Sequence, residues 1–444
     1  MDQRNSEAAR MKINWFCPLP PAKTSIADDY LVGILPALAN QTELILWTDQ
    51  STWDRNLENL APVRRYDPDR ISWPELNQAD VTFYNIGNNH LFHAAIWQVS
   101  RRHPGIVVLH DLRVHNFFDS LYRRQWSDVA GYLAQMKRYY GDEGLRAAKD
   151  LVNSGAANID FMIEHYPLTP LALENCLAAV VHSDEAFARV AAMREWPVVH
   201  ASLPRSLPPQ HNDGASLRLM ERPYRLIMFG YMGRNRRVDV VLKALSALPE
   251  RDCFRLDIFG EIPDARSLRR RIAKLDLGHL VRLHGYTPET ELNKALRTSH
   301  LAINLRYPTM GEASGSQLRI WYHALPSLVT DVGWYSSLSR DTVAHVRLEH
   351  EVADIQSHLR AFLKDPQPFA AMGQRSLRTL REQHNPERYV RTILDVAAAA
   401  RQFRVRKSAY DLARRAGTMM GSWTSKASHE PIRIAEKICE VFGP

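Results

Sequence analysis

Several common signatures are missing from this 444-residue sequence. It has four cysteines, Cys17, Cys176, Cys253 and Cys439. They are too scattered for a disulfide framework and none stands at metal-ligand spacing, so a reducing cytoplasm is the expected compartment. No apolar run reaches the roughly 18 residues of a membrane span, and no signal peptide precedes Met11. The polar first residues, MDQRNSEAAR, read as a loose tail. No Gly-x-Gly-x-x-Gly follows the first strand, which speaks against a dinucleotide fingerprint. No Asp-x-Asp metal motif is evident, no short-period repeat is visible, and nothing points to a nucleic-acid partner.

What remains is a globular chain with 45% hydrophobic and 9% aromatic residues, long enough for two or three domains. Its net charge of +8 is unevenly placed: residues 401–444 hold nine Lys/Arg against four Asp/Glu. Such a balance suits anionic substrates or an anionic membrane surface.

Short apolar strands alternate with helices from Met11 onward. Met11–Phe16 reads as a strand, then a loop through Ser25, then a helix over Ile26–Leu38. Strands follow at Thr42–Trp47, Val81–Tyr84, Ile106–Leu109 and Ala178–His182, the last of a first domain; residues 113–175 read as helices rich in aromatics, a candidate cap over one side of a site. Alternation of this kind builds a parallel α/β sheet, and ligands bind beyond the carboxyl ends of its strands. Two polar motifs stand at such ends, Asn85–His90 and His110-Asp111. Leu203–Ser216 is the best linker candidate. Tyr224–Phe229 opens a second α/β series, with strands at Phe254–Gly260, Val281–Gly285 and His300–Tyr307. Arg234, Arg236 and Arg237 crowd the turn after its first strand, before a helix over Val238–Leu248. Guanidinium groups pair with phosphate oxygens two bonds at a time, so three arginines at a strand-to-helix turn are a phosphate signal.

The most informative stretch is His300–Trp334. It reads as strand, loop, helix and strand. Ser314 and Gln317 match a capping box, so a helix should begin near Gly315. Leu318, Trp321, Tyr322 and Leu325 give that helix one apolar face, Pro326 ends it, and Ser327–Asp331 is the next strand. Ser314, Gly315 and Ser316 sit where the first helical N–H groups lack partners, an arrangement that binds anions. Arg319 lies one turn further in, and Glu312 stands in the loop before the cap.

This stretch resembles the donor-binding motif of retaining family 4 glycosyltransferases, within a bacterial polysaccharide-type subgroup. Arg306-Tyr307-Pro308-Thr309, Gly311-Glu312, Ser314-Gly315, Leu318-Arg319 and Asp331–Trp334 carry the match. The family's two glutamates, separated by seven intervening residues, are displaced. Counting back from Pro326, Arg319 takes the second position and Gly311 the first, with Glu312 next door. The family's Ser-Gly-Ile-Ala-Asp-Tyr after the first strand is here Ser25-Ile26-Ala27-Asp28-Asp29-Tyr30, without the glycine. Arg236 takes the family's diphosphate-binding lysine position, and Tyr231 that of its arginine.

The resemblance implies two Rossmann-like domains facing across a cleft, the GT-B fold, with a helical C-terminal tail. The expected division is residues 11–202, a linker over 203–222, a donor domain over 223–385, a helix over 386–400 returning to the first domain, and a basic tail over 401–444. It implies a metal-independent transferase with no cofactor, taking a sugar from a nucleotide-diphosphate sugar to a glycan or lipid-linked acceptor in surface polysaccharide synthesis. His110 and Glu312 would act on the donor sugar; Arg234, Arg236, Arg237, Ser314, Gly315, Ser316 and Arg319 would hold its diphosphate. A nucleotide-sugar epimerase of related fold and a non-catalytic sugar-nucleotide or glycan binder are the alternatives. The tail's charge, with Ile432, Ala435, Ile438 and Phe442 on one face of a short helix from Pro431, fits peripheral docking on the inner membrane surface, or packing on the protein's own core or a second subunit.

Overall fold

Fully apolar strands of four to six residues cannot face water on either side, so they form parallel sheets covered by helices on both faces. The computed structural model describes residues 10–24, 26–155, 158–208, 215, 218, 220–421 and 437, and it contains two such sheets. The first is β1 (Lys12–Phe16), β2 (Glu43–Thr48), β3 (Val63–Arg65), β4 (Val81–Ile86), β5 (Ile106–Leu109), β6 (Ala178–Val181) and β7 (Val198–His200), in the order β3-β2-β1-β4-β5-β6-β7. The second is β8 (Tyr224–Phe229), β9 (Phe254–Phe259), β10 (Val281–Gly285), β11 (Leu301–Asn304), β12 (Ser327–Thr330) and β13 (Ala344–Val346), in the order β10-β9-β8-β11-β12-β13. Every pairing is parallel.

Three differences from the sequence reading have simple causes. The strands β3, β7 and β13 have three residues each, too short for a period to show; β6 is therefore not the last strand of its sheet. The first helix begins as a π-helical turn over Ile26–Leu31 and becomes α-helical over Val32–Gln41. Pro36 lies inside it and has no N–H to return to the preceding turn. In the capping box, Ser314 Oγ accepts the Gln317 N–H at 3.1 Å, but the Gln317 side chain turns inward, not back to the cap.

Side chains alternate across each sheet. On one face of the first sheet, Ile13, Trp15, Phe83, Val108 and Val180 join a core that also contains Ala313, Leu318, Trp321 and Trp334 from the second half of the chain. Helix Pro386–Ala398 completes that core with Tyr389, Val390, Ile393 and Val396. It returns to the first sheet's side, where the Tyr30 and Tyr389 hydroxyls lie 2.8 Å apart. The chain crosses between the halves twice, and the crossings clasp each other: His384 Nδ1 lies 2.7 Å from Leu203 O, and the Arg205 N–H donates to His384 O at 2.9 Å. Helix Ala400–Gly421 then leaves along the first sheet's side, with Arg404 donating to Asp80 O at 2.8 Å. The amphipathic face expected at Ile432, Ala435, Ile438 and Phe442 lies outside the described residues. Among the described residues, no helix is long and apolar enough to cross a membrane.

The buried Tyr30–Tyr389 pair gives a test of this shared core. Removing either hydroxyl leaves the other without a partner, at a cost of about 1–3 kcal/mol. Tyr389→Phe should lower stability by that amount in denaturant unfolding. The Tyr30→Phe/Tyr389→Phe double variant should cost little more than either single one, and full additivity would show the bond to be absent.

Candidate active site at the domain interface

Arg236 is the centre of the site. After β8 the chain passes through Gly230, at φ +109°, and a 3-10 turn over Arg234–Arg236, before helix Val238–Ser246. A Cβ on Gly230 would stand 2.9 Å from Arg236 Nη2, so glycine there leaves room for the guanidinium. The guanidinium is buried, with 6% of the residue exposed. Its Nη1 donates to Asn304 Oδ1 at 2.8 Å and its Nη2 to Ser316 Oγ at 3.2 Å. Asn304 in turn donates to Gln317 Oε1 at 2.8 Å, and Gln317 to Ser327 Oγ at 2.7 Å. One polar chain thus ties the turn after β8 to the end of β11, the first turn of helix Gly315–Tyr322, and β12.

All these partners are neutral. No carboxylate lies within ion-pair distance of Arg236 among the described residues, and its Nε has no partner. Burial, and then the nearby Arg306, lower its pKa to about 9, so the group is still a cation at neutral pH. A buried cation without a counter-ion is costly. Next to it are the first N–H groups of helix Gly315–Tyr322, the natural seat for an anion.

The other arginines expected here are placed differently. Arg237, at φ +57°, is tied to buried Glu351, with Nε 3.0 Å from Oε1. Arg319 is paired with Glu289. Arg234 has 88% of its side chain exposed and lies 3.9 Å from Asp160 of the first half. The four cations that look alike in sequence are therefore three committed or exposed groups and one buried, uncompensated one.

Glu312 is held firmly. Its Oε2 accepts from Thr309 Oγ1 at 3.0 Å and from the Met310 N–H at 2.7 Å, and its Oε1 lies 3.3 Å from Arg306 Nε. Its loop rests on the first domain. Arg113 donates its N–H to Met310 O at 2.8 Å, and Ser183 Oγ donates to Gly311 O at 2.9 Å. Gly311 has φ +73°, and a Cβ on it would stand 2.6 Å from Leu112 Cβ. No side chain fits at the position where the resembled motif has its first glutamate.

His110 is buried at the end of β5, its Nε2 3.0 Å from Asn85 Oδ1 and its ring edge-on to Tyr30 at 4.8 Å. Burial, followed by His182 and His93, holds its pKa well below the usual range, so it is neutral. The next residue, Asp111, is half-buried and accepts the Asn88 N–H at 2.6 Å. Burial first, and then Glu312, push its pKa up to about 7, against the pull of Asn88 and Arg306. Sequence reading had assigned no role to Asp111 or Arg306. Each lies in a motif it had noted, but their chemistry arises only from the facing domain. The triplet Asp67-Pro68-Asp69 has Asp-x-Asp spacing, yet it lies away from these residues, with both aspartates exposed and Asp69 3.9 Å from Arg102. Among the described residues, no group of three or more His, Cys, Asp or Glu could hold a metal.

Residues 210–378 match the family described as Glycosyl transferases group 1. No curated protein matches the chain in sequence. Solved structures similar to it include HepE of Anabaena in complex with UDP, with a TM-score of 0.59 and 12% identity over 88% of this chain and 100% of that one. Sucrose-phosphate synthase of Thermosynechococcus elongatus aligns with a TM-score of 0.57 and 13% identity, over 87% and 98% of the two chains. WaaG, a glycosyltransferase involved in lipopolysaccharide biosynthesis, aligns with 0.53 and 12%, over 85% and 98%. At such identities the likeness is one of fold, and the fold is GT-B.

The arginines predict opposite phenotypes. Arg236→Ala should weaken binding of a nucleoside diphosphate by about 1–3 kcal/mol. Arg237→Ala should leave that affinity unchanged and lower stability by about 3 kcal/mol, because Glu351 is left buried and unpaired. Calorimetric titration and denaturant unfolding separate the two, and unchanged nucleotide affinity in Arg236→Ala would show that the buried cation is not the anion site.

Proposed function

We propose that this protein is a metal-independent, retaining glycosyltransferase. It takes a sugar from a nucleotide-diphosphate sugar and delivers it to a glycan or lipid-linked acceptor, in the synthesis of a surface polysaccharide. The observation that carries the reading is Arg236, a buried cation with no carboxylate at ion-pair distance among the described residues, beside the first N–H groups of a helix, at a strand-to-helix turn of a GT-B fold. HepE has been solved in complex with UDP and with UDP-glucose, which makes a uridine donor the first to test.

Breaking the sugar–phosphate bond builds positive charge on the ring and negative charge on the departing diphosphate. In this reading Arg236, the N–H groups of Gly315 and Ser316, and Arg306 at a greater remove stabilise the departing charge. They are already fixed, so no reorganisation is needed as the charge develops. The acceptor hydroxyl attacks from the leaving-group face, and its proton passes to the departing phosphate oxygen. Glu312, oriented by Thr309, Met310 and Arg306, accepts hydrogen bonds from the donor sugar. Neutral His110 lines the opposite side. No cofactor beyond the donor is required.

The facing carboxylates Asp111 and Glu312 favour a second reading, an epimerase that would use them as acid and base. Glu312 is already engaged by three groups, which makes it a poor proton carrier. Incubation with UDP-glucose separates the readings: slow release of UDP with free or transferred glucose supports the transferase, and an epimerised sugar nucleotide supports the alternative. Within the transferase reading, Glu312→Ala and His110→Ala should keep nucleotide binding and lose transfer; full activity in both would remove them from the site.

Helix Ala400–Gly421 carries Arg401, Arg404, Arg406, Lys407, Arg414 and Arg415 against Asp411 alone, with Val405 and Leu412 exposed. This supports docking on an anionic cytoplasmic leaflet, at about 1 kcal/mol for each cation near the surface. The full chain should co-sediment with anionic vesicles at low salt, and a chain ending at Ala400 should not; equal behaviour of the two would assign the helix a purely structural role.

A further inference from the structure

Across from Glu312 stands an acid that the proposed reaction does not use. Asp111 follows β5, and its Oδ2 accepts the Asn88 N–H at 2.6 Å. Behind it, a Cβ on Gly87 would come within 3.2 Å of that oxygen. The Arg113 N–H to Met310 O bond, 2.8 Å long, presses residues 111–113 of the first domain against residues 310–312 of the second. The carboxyl groups of Asp111 and Glu312, from two domains, are thereby close enough to interact electrostatically. Glu312 is held by Thr309, Met310 and Arg306. Of the charged groups near Asp111, Arg113 is committed to Glu185, and His93 and His110 are kept neutral by burial. Arg306 is the one cation acting on both carboxyl groups. Removal of Asp111 from water and the like charge of Glu312 together disfavour ionisation of both carboxyl groups, and Arg306 offsets them only in part.

We propose that Asp111 is a positioning residue that stands in the closed cleft as a neutral acid opposite Glu312, leaving the site one surplus positive charge for an anionic ligand. With Asp111 neutral, Arg236 and Arg306 face Glu312 alone. With Asp111 ionised, that surplus is cancelled before a diphosphate arrives. A bound diphosphate adds negative charge beside Asp111 and strengthens its hold on the proton, so ligand binding draws a proton into the site.

The sign of the pH effect follows. Burial and Glu312 raise the native pKa of Asp111, so its stabilising protonation is fully present below the unfolded carboxylate range. It is lost as pH rises from there to about 7. Asp111→Asn is neutral at every pH and can still accept from Asn88. Wild type should lose melting temperature relative to Asp111→Asn between pH 5 and pH 8, with up to about a tenfold loss in folding constant per pH unit inside the window. A purely structural role for Asp111 predicts the same difference at both pH values. Glu312→Gln removes the facing charge and should shrink wild type's loss over that range, so it decides the matter even if Asp111→Asn fails to fold. Parallel pH profiles for wild type and both variants overturn the proposal.

The ligand half rests on the transferase reading. UDP-glucose has no phosphate group that titrates near neutral pH, so any change in its affinity belongs to the protein. Wild type should bind it more weakly at pH 8 than at pH 6, and Asp111→Asn equally at both. Equal affinities for wild type at the two pH values overturn the proton uptake. Absence of UDP-glucose binding at every pH would count against the uridine donor, while the stability comparison would still decide the protonation of Asp111.

Discussion

A guanidinium removed from water without a carboxylate to meet it is the constraint around which the second domain is arranged. Arg236 is solvated only by neutral oxygens, Asn304 Oδ1 and Ser316 Oγ. Each of those is fixed by further contacts: Asn304 through Gln317 to Ser327, and Ser316 by its place in the first turn of a capped helix. The resulting polar chain links the turn after β8, β11, the helix and β12. Charges arranged in advance in a place of low dielectric act on a developing anion without the cost of turning dipoles toward it.

The second feature is the contact between the domains. The loop before helix Gly315–Tyr322 lies on Leu112, Arg113 and Ser183, and Gly311 is glycine because Leu112 leaves no space for a Cβ. Moving the glutamate by one residue, from the usual position to Glu312, follows from that contact. Glu312 then takes its orientation from its own loop and from Arg306, not from the helix. The same contact brings Asp111 to Glu312, whose charge adds to the effect of burial in raising the pKa of that aspartate. Both domains share a hydrophobic core through helix Pro386–Ala398. Position in the cleft is thus set by packing far from the polar groups themselves.

Much of this was legible in the chain. The alternation of short apolar strands with helices determined the two parallel sheets, because a strand buried on both faces is mainly apolar, and polar residues that such strands hold here, such as Asn85, Asn304 and Ser327, are hydrogen-bonded. The Ser314 cap marked the start of the key helix through local backbone chemistry, but the helix ends at Tyr322, before the expected stop at Pro326, with Ala324 at φ +44° and Leu325 outside it. Edge strands of three residues were not legible, because so short a run has no period. Tertiary structure alone decided which arginine is buried without a carboxylate partner among the described residues. Arg234, Arg236, Arg237 and Arg319 carry the same group, and only their long-range partners, Asp160, Asn304, Glu351 and Glu289, tell them apart. The ionisation of Asp111 was equally out of reach, since it depends first on its burial in the fold and then on a carboxylate some two hundred residues away in sequence. Local propensity is written in neighbouring residues, whereas desolvation and charge pairing depend on what the fold brings across space.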